Sequence, residues 1–243
     1  MAQLLNIKRY LQDTSHCAVG AASTVANFHN KNVTYELAKE ITYKEVTKRR
    51  PREPGNFPGL EDSETGMLLN LLGFRSVTMV STNLNHLDYS WSKLSKKELL
   101  KEMQKNSGNK LLYQFLSKKD FRNKLKIDYK YGEHIRNAID KGLPVIIGFN
   151  WTMMFKTQKE GKNHKPDPVR GDYEWHCAVV RGYSDKGAYI VDSSHEYYKY
   201  RLARYRKGKY VIPWEDLMVC LGMDGSLHIP SNYDESLLQY ELV

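Results

Sequence analysis

A chain of 243 residues, 41% of them hydrophobic, can furnish a sizeable core in one domain, which argues against disorder. The 37 Lys and Arg against 28 Asp and Glu give a formal net charge of +9, a non-specific pull towards acidic partners, with no nucleic-acid module signature beside it. No stretch reaches the roughly 20 apolar residues of a membrane span, MAQLLNIKRYLQD lacks the apolar run of a signal peptide, and Cys17, Cys177 and Cys220 are too few for a disulfide framework, so a reduced, cytoplasmic protein is expected.

LLNIKRYLQ reads as a short extended lead-in. In CAVGAASTVANFHN, Ala18, Ala21, Ala22, Val25 and Ala26 recur at helical spacing and predict a buried, small-residue helix starting at Cys17. Thr34 is the expected N-cap of a helix over YELAKEI, and the proline-bearing KRRPREPGNFPG interrupts all periodicity as a loop. ETGMLLNLL, closed by Gly73, predicts a third helix leading into the strand FRSVTMVS. Residues 84–130 are lysine-rich and read as an inserted helical region that sets partner or substrate choice and contributes little to the catalytic core. Ser95 and Glu98, at capping-box spacing, predict a helix over about 96–105, and a second helix is expected to start near Ser117. This basic region could meet an acidic protein partner, although charge runs of this kind are most often solvated helix faces.

Further on, EHIRNAIDKG predicts an amphipathic helix closed by Gly142, and LPVIIGFNW a strongly apolar strand. The period then changes to two. WHCAVVRGY and GAYIVD, around Ser184-Asp185-Lys186-Gly187, predict a β-hairpin, and RKGKYVIPW and LMVCLGM one or two more strands. A helical first half followed by a strand-rich second half indicates an α+β fold.

The chemistry centres on Gln12-Asp13-Thr14-Ser15-His16-Cys17-Ala18. At a helix N-terminus the free backbone N–H groups and the macrodipole favour a thiolate, which makes Cys17 a candidate nucleophile. Those N–H groups, with the carboxamide of Gln12, could hold the oxyanion formed on attack at a carbonyl. A thiolate enzyme also needs a base. His176 opens one hairpin strand and Asp192 ends the other, a few residues out of direct opposition in the simple register, and a bulge at Gly182 could close that gap. His195, in a polar loop beyond Asp192, ranks second as base. A zinc site from His16, Cys17, His176 and Cys177 is disfavoured because adjacent strand residues face opposite sides, so that Cys177 should face the core with Val179 while Cys220 is buried similarly. Asn150 and Trp151 are expected mainly in core packing, and Glu196-Tyr197-Tyr198-Lys199-Tyr200 as an amphipathic edge strand.

Gln, then Cys opening a helix, then a distant His and Asp on a hairpin is the chain order of papain-like cysteine peptidases, which this sequence resembles. Within that group it is most similar to the bacteriocin-leader (double-glycine) peptidase-like branch, through QDTSHCAVGAASTVANFH, ETGMLLNLLGFRSVTMV, HIRNAIDKGLPVIIGF, EWHCAVVRGYSDKGAYIVDSS and a final WEDL. The resemblance implies a single papain-like domain with an N-terminal helical lobe and a twisted antiparallel sheet. It maps the oxyanion glutamine to Gln12, the nucleophile to Cys17, the base to His176 and the orienting carboxylate to Asp192. Ala18 stands where the branch usually has glycine, and Ser193 where it has proline. The expected function is a peptidase or amidase acting through an acyl-enzyme, with no metal or organic cofactor and a peptide or amide substrate. An acyltransferase or transglutaminase-type enzyme on the same scaffold, or a non-catalytic binding module that kept the fold, are the alternatives.

Overall fold

The structure is a computed structural model that describes residues 3–12, 16–47, 59–82, 89–105, 110–156, 159, 167, 169–194, 208–222 and 225–238. The basic loop over 48–58, His195 and the tyrosine-rich run after it lie outside the described residues.

The described strands form one sheet. They are β1 (Gln3–Leu4), β2 (Phe74–Ser81), β3 (Lys124–Ile127), β4 (Val145–Asn150), β5 (Trp175–Ser184), β6 (Gly187–Val191), β7 (Lys209–Pro213) and β8 (Ser226–Tyr233). The order is β3-β2-β8-β4-β5-β6-β7, with β1 paired to β5; β2 and β3 run parallel and the other pairs antiparallel.

Both faces of this sheet are covered, which is why VIIGFN in β4 reads as a near-continuous apolar run rather than an alternation. Ile146 joins one core cluster with Val179, Val77 and residues of α1 (Cys17–His29), α2 (Tyr35–Ile41) and α3 (Asp62–Leu71). Its neighbours Val145, Ile147 and Phe149 join a second cluster with α6 (Tyr131–Ile139), α7 (Trp151–Phe155) and α8 (Trp214–Gly222). α1 can lie close to the sheet because its inward positions are Ala21, Ala22, Val25 and Ala26, all buried. Helix ends follow the sequence: Thr34 Oγ1 accepts from Leu37 N at 3.2 Å, and Gly73 and Gly142 take positive φ just after α3 and α6.

Several expectations need correction. Of the expected strand LMVCLGM, residues 217–222 are helical, in α8, because Leu217, Cys220 and Leu221 are buried at i, i+3 and i+4 while Glu215 and Asp216 occupy the first turn. The apolar strand at 143–151 stops at Asn150, whose side chain caps α7 by accepting from Met153 N at 3.0 Å. Within the lysine-rich region, α4 (Lys96–Lys105) forms as expected, but α5 (Lys110–Ser117) ends at Ser117 instead of starting there. Nor is this region peripheral. Leu99, Met103, Leu112, Phe115 and Leu116 are buried in the same cluster as α1 and α3, and Phe115 fills the space left by Gly66, where a β carbon would stand 2.5 Å from its ring. β3 pairs with β2, and the buried Asn123 bonds Asn70 through both amides at 2.8 and 3.1 Å. Among the described residues no helix is long and apolar enough to cross a membrane.

Candidate active site

Cys17 begins α1 behind His16, an N-cap residue whose side chain makes no capping hydrogen bond to the first-turn N–H groups. The imidazole of His16 is turned to Tyr43, with Nε2 2.9 Å from its hydroxyl. The thiol of Cys17 stands beside the side chains of both His176 and Cys177, each of which favours its ionised form.

His176 lies in β5 opposite Phe149, and its ring is boxed edge-on by Phe149 (centroids 5.7 Å apart) and Trp151 (4.6 Å). Its Nε2 lies 2.9 Å from both carboxylate oxygens of Asp192. The bulge in the hairpin makes this pairing possible. Between Ser184↔Gly187 and Gly182↔Tyr189 the register is regular, but Val180 then pairs with Ile190 and Val179 with Val191, leaving Arg181 as the extra residue. Extended one step, this register sets Asp192 level with Ala178, on the face shared by His176. Without the bulge Asp192 would stand level with Val179 and turn to the other face. The bulge therefore corrects the facing of Asp192 and leaves a diagonal offset of two residues along the strand, which the side chains span.

Asp192 is wholly buried, and its carboxylate is satisfied by more than the imidazole. Tyr210 donates its hydroxyl to Oδ2 at 2.7 Å and Ser194 its backbone N–H to Oδ1 at 2.8 Å. Arg9 fixes the following loop, donating Nε to the Asp192 carbonyl at 2.6 Å and a terminal nitrogen to the Ser194 carbonyl at 2.5 Å. Gly208, at φ +59°, packs so closely there that a β carbon would meet Arg9 and the Asp192 carbonyl.

Gln12 is buried beside this loop. Its backbone N–H donates to the Ser193 carbonyl at 3.1 Å, and its Oε1 accepts the Ser193 hydroxyl at 2.5 Å. With the carbonyl oxygen so engaged, the amide's donor end is directed elsewhere. Ser193 and Gln12 both rest on the first turn of α1 at Gly20, where a β carbon would lie 2.4 Å from Ser193 Oγ and 3.2 Å from Gln12 Cβ. The structure thus brings Cys17, His176 and Asp192 together, the imidazole bonded to the carboxylate and Gln12 joined to them through the Ser193 loop.

These contacts set the proton affinities. The hydrogen bond from Cys177, joined by the bond to and charge of His176, outweighs burial and holds Cys17 well below the ordinary thiol range. Burial opposes a charged His176, but the Asp192 carboxylate and the sulfur of Cys17 overcome it and push the imidazole up to about 10. Contact with Cys17 and burial push Cys177 up, and burial takes Cys220 to about 11. A thiolate–imidazolium pair is the state these environments favour.

Sequence reasoning missed Cys177, Ser193, Tyr210 and Arg9. Tyr210 carried a signal, since it alternates with Ile212 on the inward face of KYVIP. Cys177 does face the α1 core beside Val179, yet it also adjoins Cys17. Arg9 and Ser193 act through backbone carbonyls and one hydroxyl, contacts that leave no periodic trace.

The profile of the Peptidase_C39-like family matches residues 4–217. A crystal structure of a candidate C39-like peptidase from Bacillus anthracis is similar at 14% sequence identity and a TM-score of 0.45, covering 96% of this chain and 100% of that one. No curated protein matches in sequence. With the profile spanning the segment that holds Gln12, Cys17, His176 and Asp192, the chain belongs to the Peptidase_C39-like family.

Proposed function

We propose that this protein is a cysteine-dependent hydrolase of peptide or amide bonds, with Cys17 as nucleophile, His176 as base and acid, Asp192 orienting the imidazole and Gln12 in the oxyanion site. The observation that carries this reading is Cys17 at the N-terminus of α1 beside His176, whose imidazole is bonded to the buried carboxylate of Asp192.

His176 Nε2 is held by Asp192, so Nδ1 is the nitrogen left for the sulfur. The Cys17 thiolate attacks the carbonyl carbon, and the first-turn N–H groups of α1 with the Gln12 amide receive the developing oxyanion. His176 passes its proton to the departing amine, leaving a thioester on Cys17. The neutral imidazole then takes a proton from water as it attacks the thioester, releasing the acid and restoring the ion pair. Asp192 keeps one tautomer and one ring orientation throughout, itself held by Tyr210 and Ser194.

The test is cleavage of a pool of internally quenched peptides by the purified protein, with Cys17→Ala and His176→Ala as controls. Turnover that vanishes in both variants supports the reading; cleavage that survives Cys17→Ala overturns it.

A further inference from the structure

Residues 3–12 run as an arm along the β5–β6 hairpin. Gln3 and Leu4 pair with Tyr183 and Gly182, and Leu5 donates its N–H at 2.7 Å to the carbonyl of Arg181, the extra residue of the bulge. Ile7, buried in the α1 core, anchors the arm before it reaches the loop after β6. There it takes three successive carbonyls. Arg9 holds those of Asp192 and Ser194 through Nε and a terminal nitrogen, at 2.6 and 2.5 Å, and the backbone N–H of Gln12 holds that of Ser193 between them at 3.1 Å. One planar guanidinium thus brackets Ser193 from both sides, a grip that a single ammonium lacks.

The two groups that this loop serves depend on it unequally. The Asp192 carboxylate has the imidazole, the Tyr210 hydroxyl and the Ser194 N–H as partners, so it keeps its place by contacts of its own. The Gln12 carboxamide is held at Oε1 by the Ser193 hydroxyl. The direction of its donor end therefore follows Ser193, and Ser193 follows the carbonyls on either side of it. Gly208, at φ +59°, fits the same arrangement: a side chain there would overlap the Arg9 guanidinium, so bare backbone keeps that space open.

Building on the hydrolase reading, we infer that Arg9 is a positioning residue for acyl transfer: by holding the carbonyls of Asp192 and Ser194 it sets Ser193, and through Ser193 it aims the Gln12 carboxamide at the oxyanion. Arg9 itself touches no reacting atom. Its loss weakens a step that builds negative charge on a carbonyl oxygen and spares a displacement at carbon in which no oxyanion forms.

The test compares two reactions of Cys17 in the whole chain. Attack on p-nitrophenyl acetate passes through an oxyanion, releasing p-nitrophenolate and leaving an acetyl thioester, whereas iodoacetamide alkylates the sulfur by losing iodide, with no oxyanion. Arg9→Met keeps the aliphatic stem, and misplacing one oxyanion donor without deleting it should slow acylation about tenfold while alkylation stays within about twofold. In a Gln12→Ala background the same change should cost acylation no more than about twofold, because the group it positions is gone. Arg9→Lys, which can reach one carbonyl but not both, should fall between the wild type and Arg9→Met, and it carries the test if Arg9→Met does not fold. Equal losses in the two reactions, unchanged acylation, a loss of full size that persists without Gln12, or failure of both variants to fold overturns the inference and makes Arg9 a brace of the fold. If the wild type releases p-nitrophenolate no faster than Cys17→Ala, the hydrolase reading itself fails.

Discussion

Replacing Cys177 with alanine removes the thiol whose hydrogen bond is the largest influence holding Cys17 ionised. A hydrogen bond to a charged acceptor is worth about 1.5–3 kcal/mol, and a thiol is a weak donor, so the low end applies. At about 1.4 kcal/mol per factor of ten, the thiolate fraction of Cys17 should fall about tenfold on the acid limb of its titration. Little packing is lost, because Cys177 is only partly buried. The assay is the rate of iodoacetamide alkylation at Cys17 from pH 5 to 9, with the modified peptide mapped by mass spectrometry. Cys177→Ala should move the acid limb to higher pH, and Cys177→Ser, which keeps a donor in place, should recover part of the shift. His176→Ala removes both a bond and a charge and should move the limb at least as far. A Cys177→Ala profile superimposed on the wild type would refute this account of the thiolate.

Asp192→Asn strips His176 of the carboxylate that raises it to about 10, so the alkaline limb of activity should move towards neutrality and turnover should fall about 100-fold or more. Stability should follow the same group: its folded pKa of about 10 lies above the ordinary 6.5, so its contribution is complete below pH 6.5 and is lost as pH rises through 10. Urea midpoints at several pH values should show that decline in the wild type and less of it in Asp192→Asn. Phe115→Ala should cost about 3–5 kcal/mol in urea unfolding, because the ring is fully buried against Gly66 in the main core; a loss below about 1 kcal/mol would mean that α5 can be dispensed with. Gly20→Ala places a methyl group 2.4 Å from Ser193 Oγ, so it should displace the Ser193–Gln12 contact and lower turnover while Cys17 still alkylates; unaltered kinetics would show that this contact does not position the amide.

Much of the candidate site's geometry was legible because its residues sit at element boundaries. Cys17 opens a helix, His176 lies next to a strand's start and Asp192 follows a strand's end, and all three boundaries follow from period and turn signals. The facing of Asp192 was less accessible, since a bulge is a one-residue irregularity that only the three-dimensional pairing fixes. α8 was misread because LMVCLGM is apolar enough for a strand, and only the i, i+3, i+4 spacing of Leu217, Cys220 and Leu221 distinguishes it. The lysine-rich region misled for the opposite reason. Its many charges mask an apolar stripe of Leu99, Met103, Leu112, Phe115 and Leu116, so composition suggested surface where the narrow stripe enters the core. β8 escaped notice because SLHIPSNY contains a proline and several polar residues. Pro230 is tolerated because β4 pairs with β8 only from Ser226 to His228, which leaves that flank free of a partner strand at residue 230.

The place of β8 bears on synthesis. It is the last strand of the described chain, yet it stands between β2 and β4, and without it the sheet falls into the pair β3-β2 and the group β4-β5-β6-β7 with β1. A ribosome that has released residues up to about 220 has delivered every residue assigned to the chemistry, but the emerging chain still presents two long apolar strand edges, one on each half. Such edges recruit strands from other chains, so nascent molecules are most exposed to misassembly in the seconds before Ser226–Tyr233 arrives. A stop codon just ahead of residue 226 should therefore yield insoluble protein, even though it would spare the whole segment matched by the family profile.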